Sequence, residues 1–120
     1  MTEARHINMM NLPASPWVER FASLAKPGEA LDLACGSGRH TRLLAARGHA
    51  VLALDRKRES LASAAGAGVT TMEYDLEAEG AAWPFDAGRF SVIVVTNYLH
   101  RPLFPYLARS LRPDGILIYE

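Results

Sequence analysis

The chain has 120 residues, with 13 Lys plus Arg balanced by 13 Asp plus Glu and a hydrophobic fraction of 49%. That length suits one domain with a sizeable core, and that composition excludes disorder as the main state. Zero net charge offers no electrostatic case for nucleic-acid or membrane binding, and a single cysteine, Cys35, excludes an internal disulfide.

Met1 to Met10 carry Glu3 and Arg5 and lack a long apolar core, so they do not read as a signal peptide. No apolar run reaches the length of a membrane span. A cytoplasmic protein is the expectation, and a chain so near its isoelectric point is expected to self-associate readily.

Residues Met1 to Pro13 show no period and read as a loose arm. Ser15-Pro16 is a helix start, serine as cap and proline at the first helical position. Trp17, Val18, Phe21, Leu24 and Ala25 then share one helical stripe, closed by Lys26-Pro27-Gly28. Ala30 to Ala34 is a short apolar strand interrupted by Asp32, and Arg39 to Gly48 is a helix with Gly48 as its stop. His49 to Leu54 is a second strand ending at Asp55, and Arg58 to Ala65 a second short helix. Val69 to Tyr74 is a third strand, rich in Val, Thr and Tyr.

Ala78 to Gly88 reads as a loop carrying Trp83-Pro84-Phe85-Asp86. Phe90 to Thr96 is the strongest strand signal and is apolar enough to be central. Leu103 to Leu111 is a helix that tolerates Pro105 near its start. Arg112 to Gly115 is a turn, and a fifth strand opens at Gly115. Alternating strands and helices predict a parallel sheet built of βαβ units in a single domain over 1–120.

The chemistry gathers around Leu31-Asp32-Leu33-Ala34-Cys35-Gly36-Ser37-Gly38-Arg39-His40. A strand runs into a tight Gly-rich loop and out into a helix N-terminus, which presents backbone N–H groups to a ligand. In open α/β sheets ligands bind beyond the carboxyl ends of the strands. Two more polar signals sit at such ends. Asp55, about 20 residues past the loop, suits ribose hydroxyls, and Asp75 follows the third strand near where a base would lie. Thr41 stands where a dinucleotide fingerprint wants a third small residue, and there is no P-loop lysine, so a phosphate-free nucleoside is the better fit.

The same ten-residue stretch resembles motif I of class I S-adenosylmethionine-dependent methyltransferases. Its Asp-Leu-Ala-Cys-Gly-x-Gly-Arg wording is similar to the small bacterial tellurite-resistance-like branch. The resemblance runs from about Gly28 to the end, through Asp55, Asp75-Leu76, Asn97-Tyr98 and the Leu-Arg-Pro-Asp-Gly-Ile-Leu approach to the last strand. It implies a Rossmann-like three-layer sandwich of strand order 3-2-1-4-5.

It also implies roles. Ala34, Gly36 and Gly38 let the backbone approach the methionine part of S-adenosylmethionine, with Ala34 where many relatives carry a first glycine. Asp32 orders that loop or reaches the cofactor amino group through water, and Arg39 pairs with the methionine carboxylate. Asp55, with Arg56 beside it, holds the ribose; Asp75 takes the adenine amine and the Leu76 N–H a ring nitrogen. Thr96 and Asn97 lie near the sulfonium and the incoming nucleophile, which makes Asn97 a candidate catalytic residue. Apart from the resemblance, His100 in the loop after that strand is a candidate general base, with a structural loop histidine the more ordinary reading. No metal is implied. The implied activity is methyl transfer to a small molecule, with no nucleic acid or membrane as partner.

The family fold normally continues with a helix and two further strands. The expectation is therefore a C-terminally truncated form lacking those strands, and a homodimer or swapped assembly through the open sheet edge. A truncated, non-catalytic module that binds the cofactor or a protein is one rival. A dinucleotide-dependent oxidoreductase is the other, disfavoured by Thr41.

Plain structural roles are expected for several conspicuous residues. Cys35 reads as a packed thiol, His40 as a capping or surface residue and His49 as an ordinary residue before a strand. Trp83 and Phe85 read as a hydrophobic plug over the sheet. Arg56, Lys57 and Arg58 form a charged helix start of the kind that is usually just solvated.

Overall fold

A computed structural model describes residues 12–120. The arm expected over 1–13 falls outside the described residues except for Leu12 and Pro13, which belong to no regular element. Helix α1 (Pro16–Ala22) begins as its sequence dictates: Ser15 is extended, its hydroxyl accepts the Val18 N–H at 3.1 Å, and Pro16 opens the first turn. The helix stops earlier than its apolar stripe. The Ser23 hydroxyl donates to the Arg20 carbonyl at 2.7 Å, competing with the helical ladder. Leu24 therefore falls in the following turn, exposed, while Val18 and Ala22 are buried.

Five strands form one parallel sheet in the order β3-β2-β1-β4-β5. They are β1 (Ala30–Leu33), β2 (Val51–Asp55), β3 (Val69–Glu73), β4 (Phe90–Val95) and β5 (Leu111–Tyr119). The order matches the sequence expectation. Central strands β1 and β4 are buried along their whole length, as strands covered on both faces must be.

Alternating residues serve opposite faces. Leu31, Leu33, Leu52, Leu54, Ile93 and Val95 pack on one side with Phe85, Phe90, Leu103 and Leu107. Ala30, Val51, Val92, Val94 and Ile118 pack on the other with Val18, Ala22 and Leu44. The first layer is closed by α4 (Phe104–Ser110) and the loop before β4; the second by α1 and α2 (Arg39–Ala46). Helix α3 (Arg58–Ala64) buries Leu61 and Ala64 against Ala53 and Cys35.

No helix joins β3 to β4. Trp83 and Phe85 fill that space: the Trp83 indole N–H donates to Ser110 Oγ at 2.8 Å, its ring stacks on Tyr106, and Phe85 sets its edge against Phe90. This is the expected plug.

Two connections differ from expectation. A 3-10 turn at Arg101–Leu103 precedes α4, with Pro102 and Pro105 each in a first turn, where a missing N–H costs nothing. And β5 pairs from Leu111, opposite Phe90, before its ladder breaks and resumes with Ile116 opposite Val92. The turn read at Arg112 to Gly115 is thus a bulge inside the strand rather than its approach. Pro113 cannot donate to a ladder, and a Cβ on Gly115 would sit 3.0 Å from the Phe90 carbonyl, so glycine lets the bulge fold back.

Candidate functional site

The loop after β1 is shaped by backbone conformation. Ala34 (φ 57°), Gly36 (φ 56°) and Gly38 (φ 93°) all adopt the left-handed region. That explains why glycine suits position 34 and why alanine there carries strain of about 1–2 kcal/mol. The two glycines do different work. A Cβ on Gly36 would meet no atom within 4 Å, so that position faces open space. A Cβ on Gly38 would lie 2.6 Å from Ala64 Cα, so Gly38 lets the start of α2 press against α3.

Beyond the carboxyl ends of β1, β2 and β4 and beside the segment after β3 lies a cleft of about 680 Å³. Ala34, Gly36, Arg39, Asp55, Arg56, Asp75, Leu76, Thr96 and Asn97 all line it. Gly38 is not among the lining residues; a Cβ there would meet Ala64, so this glycine also packs two helices together. Residues far apart in sequence meet in one cavity because parallel strands end together.

Asp55 is the keystone of its wall. Its Oδ2 accepts the Gly36 N–H and its Oδ1 the Lys57 N–H, both at 2.9 Å. Each oxygen keeps a further lone pair. Asp75 Oδ1 accepts the Glu77 N–H at 2.9 Å. Arg39 reaches the Pro13 carbonyl at 3.5 Å, a long contact that leaves its guanidinium largely unspent.

Two expected site residues lie elsewhere. Asp32 is 1% exposed and sits behind the loop rather than in the cleft. Its Oδ2 accepts the Thr41 hydroxyl at 2.7 Å, while Oδ1 has no partner among the described residues. Burial raises its pKa from 3.8 to about 7. The loop-ordering role foreseen for Asp32 is thus exercised through Thr41, on the first turns of α2. His100 faces a neighbouring cavity of about 630 Å³ beside Trp83, Phe85 and Tyr106, with Nδ1 3.7 Å from Glu77 Oε1.

His40 is the residue that sequence reasoning undervalued. It lines the cleft, yet only 2% of it is exposed, so it is neither a cap nor a surface residue. The Ser15 N–H donates to Nε2 at 3.1 Å, which leaves the hydrogen on Nδ1, 3.4 Å from Thr96 Oγ1. Burial, aided by Arg39, lowers its pKa from 6.5 to about 4. Its partners lie 25 and 56 residues away, so no local pattern announces it.

Glu77 and Tyr98 were also missed. The Tyr98 hydroxyl donates to Glu77 Oε2 at 2.9 Å, joining the segments after β3 and β4 across the cleft. Burial pushes the Tyr98 phenol upward. Asn97 sits at φ 56°, a conformation rare outside glycine, and its N–H donates to the Glu120 carbonyl at 2.9 Å.

Cys35 is buried and its thiol is pushed up, chiefly by burial, so it is a packed thiol rather than a nucleophile. His49 is held by the Gly28 carbonyl at 2.8 Å. Among the described residues no group of His, Cys, Asp or Glu is placed to hold a metal ion, and no helix is long and apolar enough to cross a membrane.

A Rossmann-like sheet of order 3-2-1-4-5, with a Gly-turned loop and two carboxylates around one cleft, defines an α/β domain whose cleft lies beyond the carboxyl ends of its strands. The chain belongs to the methyltransferase domain family, whose profile matches residues 30–115. It is similar to YqeM of Bacillus subtilis, which carries a methyltransferase designation, with 33% identity over 87% of this chain and 45% of that protein. It is similar to trans-aconitate 2-methyltransferase of Methylobacterium nodulans, with 36% identity over 90% of this chain and 43% of that one. The chain thus spans less than half the length of these relatives.

Among solved structures, an S-adenosylmethionine-dependent methyltransferase from Mesorhizobium loti superimposes with a TM-score of 0.69 at 26% identity, over 84% of this chain and 49% of that one. A TehB-like methyltransferase from Corynebacterium glutamicum shares the fold, with a TM-score of 0.71 at 22% identity over 98% and 65%.

The donor set suits S-adenosylmethionine. Spare carboxylate lone pairs at Asp55 answer a ribose diol, a second carboxylate answers an exocyclic amine, and the open face of Gly36 admits close approach. The cleft is large enough for a ligand of nucleoside size.

Proposed function

We propose that the cleft binds S-adenosylmethionine and that the protein transfers its methyl group to a small molecule. The observation that carries this reading is the convergence of the Gly36 loop, Asp55 and Asp75 on one cavity in a chain of the methyltransferase family.

In this reading Asp55 accepts the ribose hydroxyls with the lone pairs that Gly36 and Lys57 leave free, Arg56 flanks it, Asp75 takes the adenine amine and the Leu76 N–H a ring nitrogen. Gly36 and Ala34 admit the methionine part, whose carboxylate pairs with Arg39. Asp32 and Gly38 act from behind: Asp32 holds Thr41 and so the loop, and Gly38 sets α2 against α3. Bound there, S-adenosylmethionine supplies an activated methyl group on a sulfonium. The protein's share is alignment at Thr96 and Asn97, so no catalytic triad is needed. A small acceptor is favoured by zero net charge, and one relative is named for methylating trans-aconitate.

Calorimetry with S-adenosylhomocysteine and, separately, with NAD tests the reading. Heat with the first alone supports it. Heat with NAD alone moves the chain to dinucleotide chemistry, and heat with neither removes the cofactor role. Methyl transfer from labelled S-adenosylmethionine then separates turnover from cofactor binding without turnover.

A further inference from the structure

Beside the first cleft lies a second cavity of about 630 Å³, between the loop before β4 and helix α4. Among the described residues only Leu76 lines both, and none of Asp55, Thr96 and Asn97 borders the second. Its apolar wall is aromatic. Trp83 stacks on Tyr106 with 5.9 Å between ring centres, and Phe85 meets Trp83 edge-on at 5.3 Å. The Trp83 hydrogen bond to Ser110 fixes the set. Trp83 and Tyr106 still keep ring surface open to the cavity, since neither is fully buried. Three rings already held in place offer a formed surface to a further ring.

The rim carries two opposite charges. The Arg109 guanidinium lies 4.9 Å from the Tyr106 ring centre and has no ion-pair or hydrogen-bond partner among the described residues. The Asp86 carboxylate likewise accepts no hydrogen bond among them. Arg89 acts on Asp86 electrostatically, but its own Nε and Nη2 donate to Glu29 at 3.1 and 2.9 Å. Asp86 and Arg109 border one cavity and do not bridge each other. His100 completes the rim, with Nδ1 turned toward Glu77 at 3.7 Å, which answers any charge it gains.

We propose that this cavity binds a free aromatic amino acid as its zwitterion. The ring lies against Trp83, Phe85 and Tyr106, the carboxylate meets Arg109 and the ammonium meets Asp86. The planar guanidinium, steadied over Tyr106, matches the two carboxylate oxygens. A cation and an anion kept apart on one rim suit a ligand that carries both charges. Burial of the ring supplies most of the affinity, and the exposed charges supply selection. A cavity of this volume is of ordinary size for a small ligand. Since it shares only Leu76 with the first cleft, its occupant is a second ligand rather than the methyl acceptor.

Calorimetry on the whole chain, with no other ligand present, tests this. L-phenylalanine is compared with 3-phenylpropanoate, which lacks the ammonium, with 2-phenylethylamine, which lacks the carboxylate, and with L-alanine, which lacks the ring. L-phenylalanine should bind about fivefold tighter than either one-charge analogue, the scale an exposed ion pair supplies. It should bind roughly tenfold or more tighter than L-alanine. Arg109→Gln should abolish the advantage over 2-phenylethylamine, and Arg109→Lys should keep part of it. Asp86→Asn should abolish the advantage over 3-phenylpropanoate. Both side chains are exposed, so urea midpoints should stay at the parent's. Arg39→Gln, in the first cleft, should leave L-phenylalanine affinity unchanged. The proposal is overturned by no heat with L-phenylalanine, by an analogue that binds as tightly, or by parental affinity in both Arg109→Gln and Asp86→Asn. A loss confined to Arg39→Gln would move the ligand to the first cleft and overturn it too. Every one of these outcomes is read without S-adenosylmethionine, so failure here and failure of the cofactor reading are separate results.

Discussion

Asp55 Oδ2 accepts the Gly36 N–H at 2.9 Å, so the acid at the end of β2 holds the loop at the end of β1. One carboxylate thereby shapes two walls of the cleft, because its other oxygen fixes the start of α3 through the Lys57 N–H. Asp55→Ala is expected to weaken S-adenosylhomocysteine binding by about 1–3 kcal/mol, through unpaired ribose hydroxyls and a loosened loop. Asp55→Asn keeps one acceptor oxygen and should fall between. Calorimetry on the two variants reads this directly, and unchanged affinity in both would place the ligand elsewhere.

The two loop glycines should separate stability from binding. Gly38→Ala adds a Cβ 2.6 Å from Ala64 Cα at φ 93°. Overpacking and backbone strain together should cost about 2–4 kcal/mol in urea unfolding. Gly36→Ala meets no neighbour, so only the left-handed backbone is penalised, at about 1–2 kcal/mol, while its methyl intrudes on the cleft. The expected outcome is the larger stability loss for Gly38→Ala and the larger relative loss of S-adenosylhomocysteine affinity for Gly36→Ala. The reverse order would mean that the glycine assignments are exchanged.

The strands and the Gly-rich turn were legible because their signals are local. A largely apolar run such as Phe90 to Val95, broken only by Ser91, suits a strand covered on both sides. The lining of the cleft was largely legible too, since strand ends in a parallel sheet collect Asp55, Asp75 and Thr96 at one rim. What stayed hidden depends on distant partners. The place of Gly38 is decided by Ala64 on another helix, and the burial of His40 by Ser15 and Thr96. The early start of β5 was hidden for the same reason: Leu111 pairs with Phe90 although the chain then bulges, which no alternation of residue types reveals.

The Trp83 plug rests on a single polar contact. Ser110 is fully buried and accepts the indole N–H at 2.8 Å, tying the loop before β4 to the end of α4. Ser110→Ala leaves that N–H without its protein partner. Trp83 is only half-buried, so water softens the loss, and about 1 kcal/mol of stability should go. Urea unfolding followed by tryptophan fluorescence reads both the midpoint and the indole environment. A variant with unchanged midpoint and emission would show that the ring contacts with Tyr106 and Phe85 hold the indole without the hydrogen bond.

Two buried groups close to the loop should give opposite pH dependences. Asp32 has a folded pKa of about 7 against 3.8 when unfolded, so between those values the folded state holds the extra proton. Stability from this group is therefore greatest in acid and falls as pH rises from about 4 to 7. His40 runs the other way. Its folded pKa of about 4 lies below the unfolded 6.5, so the unfolded state binds the extra proton and stability rises with pH over that window. In the parent protein the two slopes oppose each other between about pH 4 and 6.5. Asp32→Asn, which keeps an acceptor for the Thr41 hydroxyl, should steepen the rise in that window and abolish the decline toward pH 7. His40→Gln should leave the Asp32 decline uncovered. Urea unfolding of the three proteins at intervals from about pH 4 to 8 measures each slope against the parent. Parallel profiles for Asp32→Asn and the parent would mean that Asp32 titrates in the folded protein as it does in the open chain, and that its unpaired Oδ1 is solvated after all.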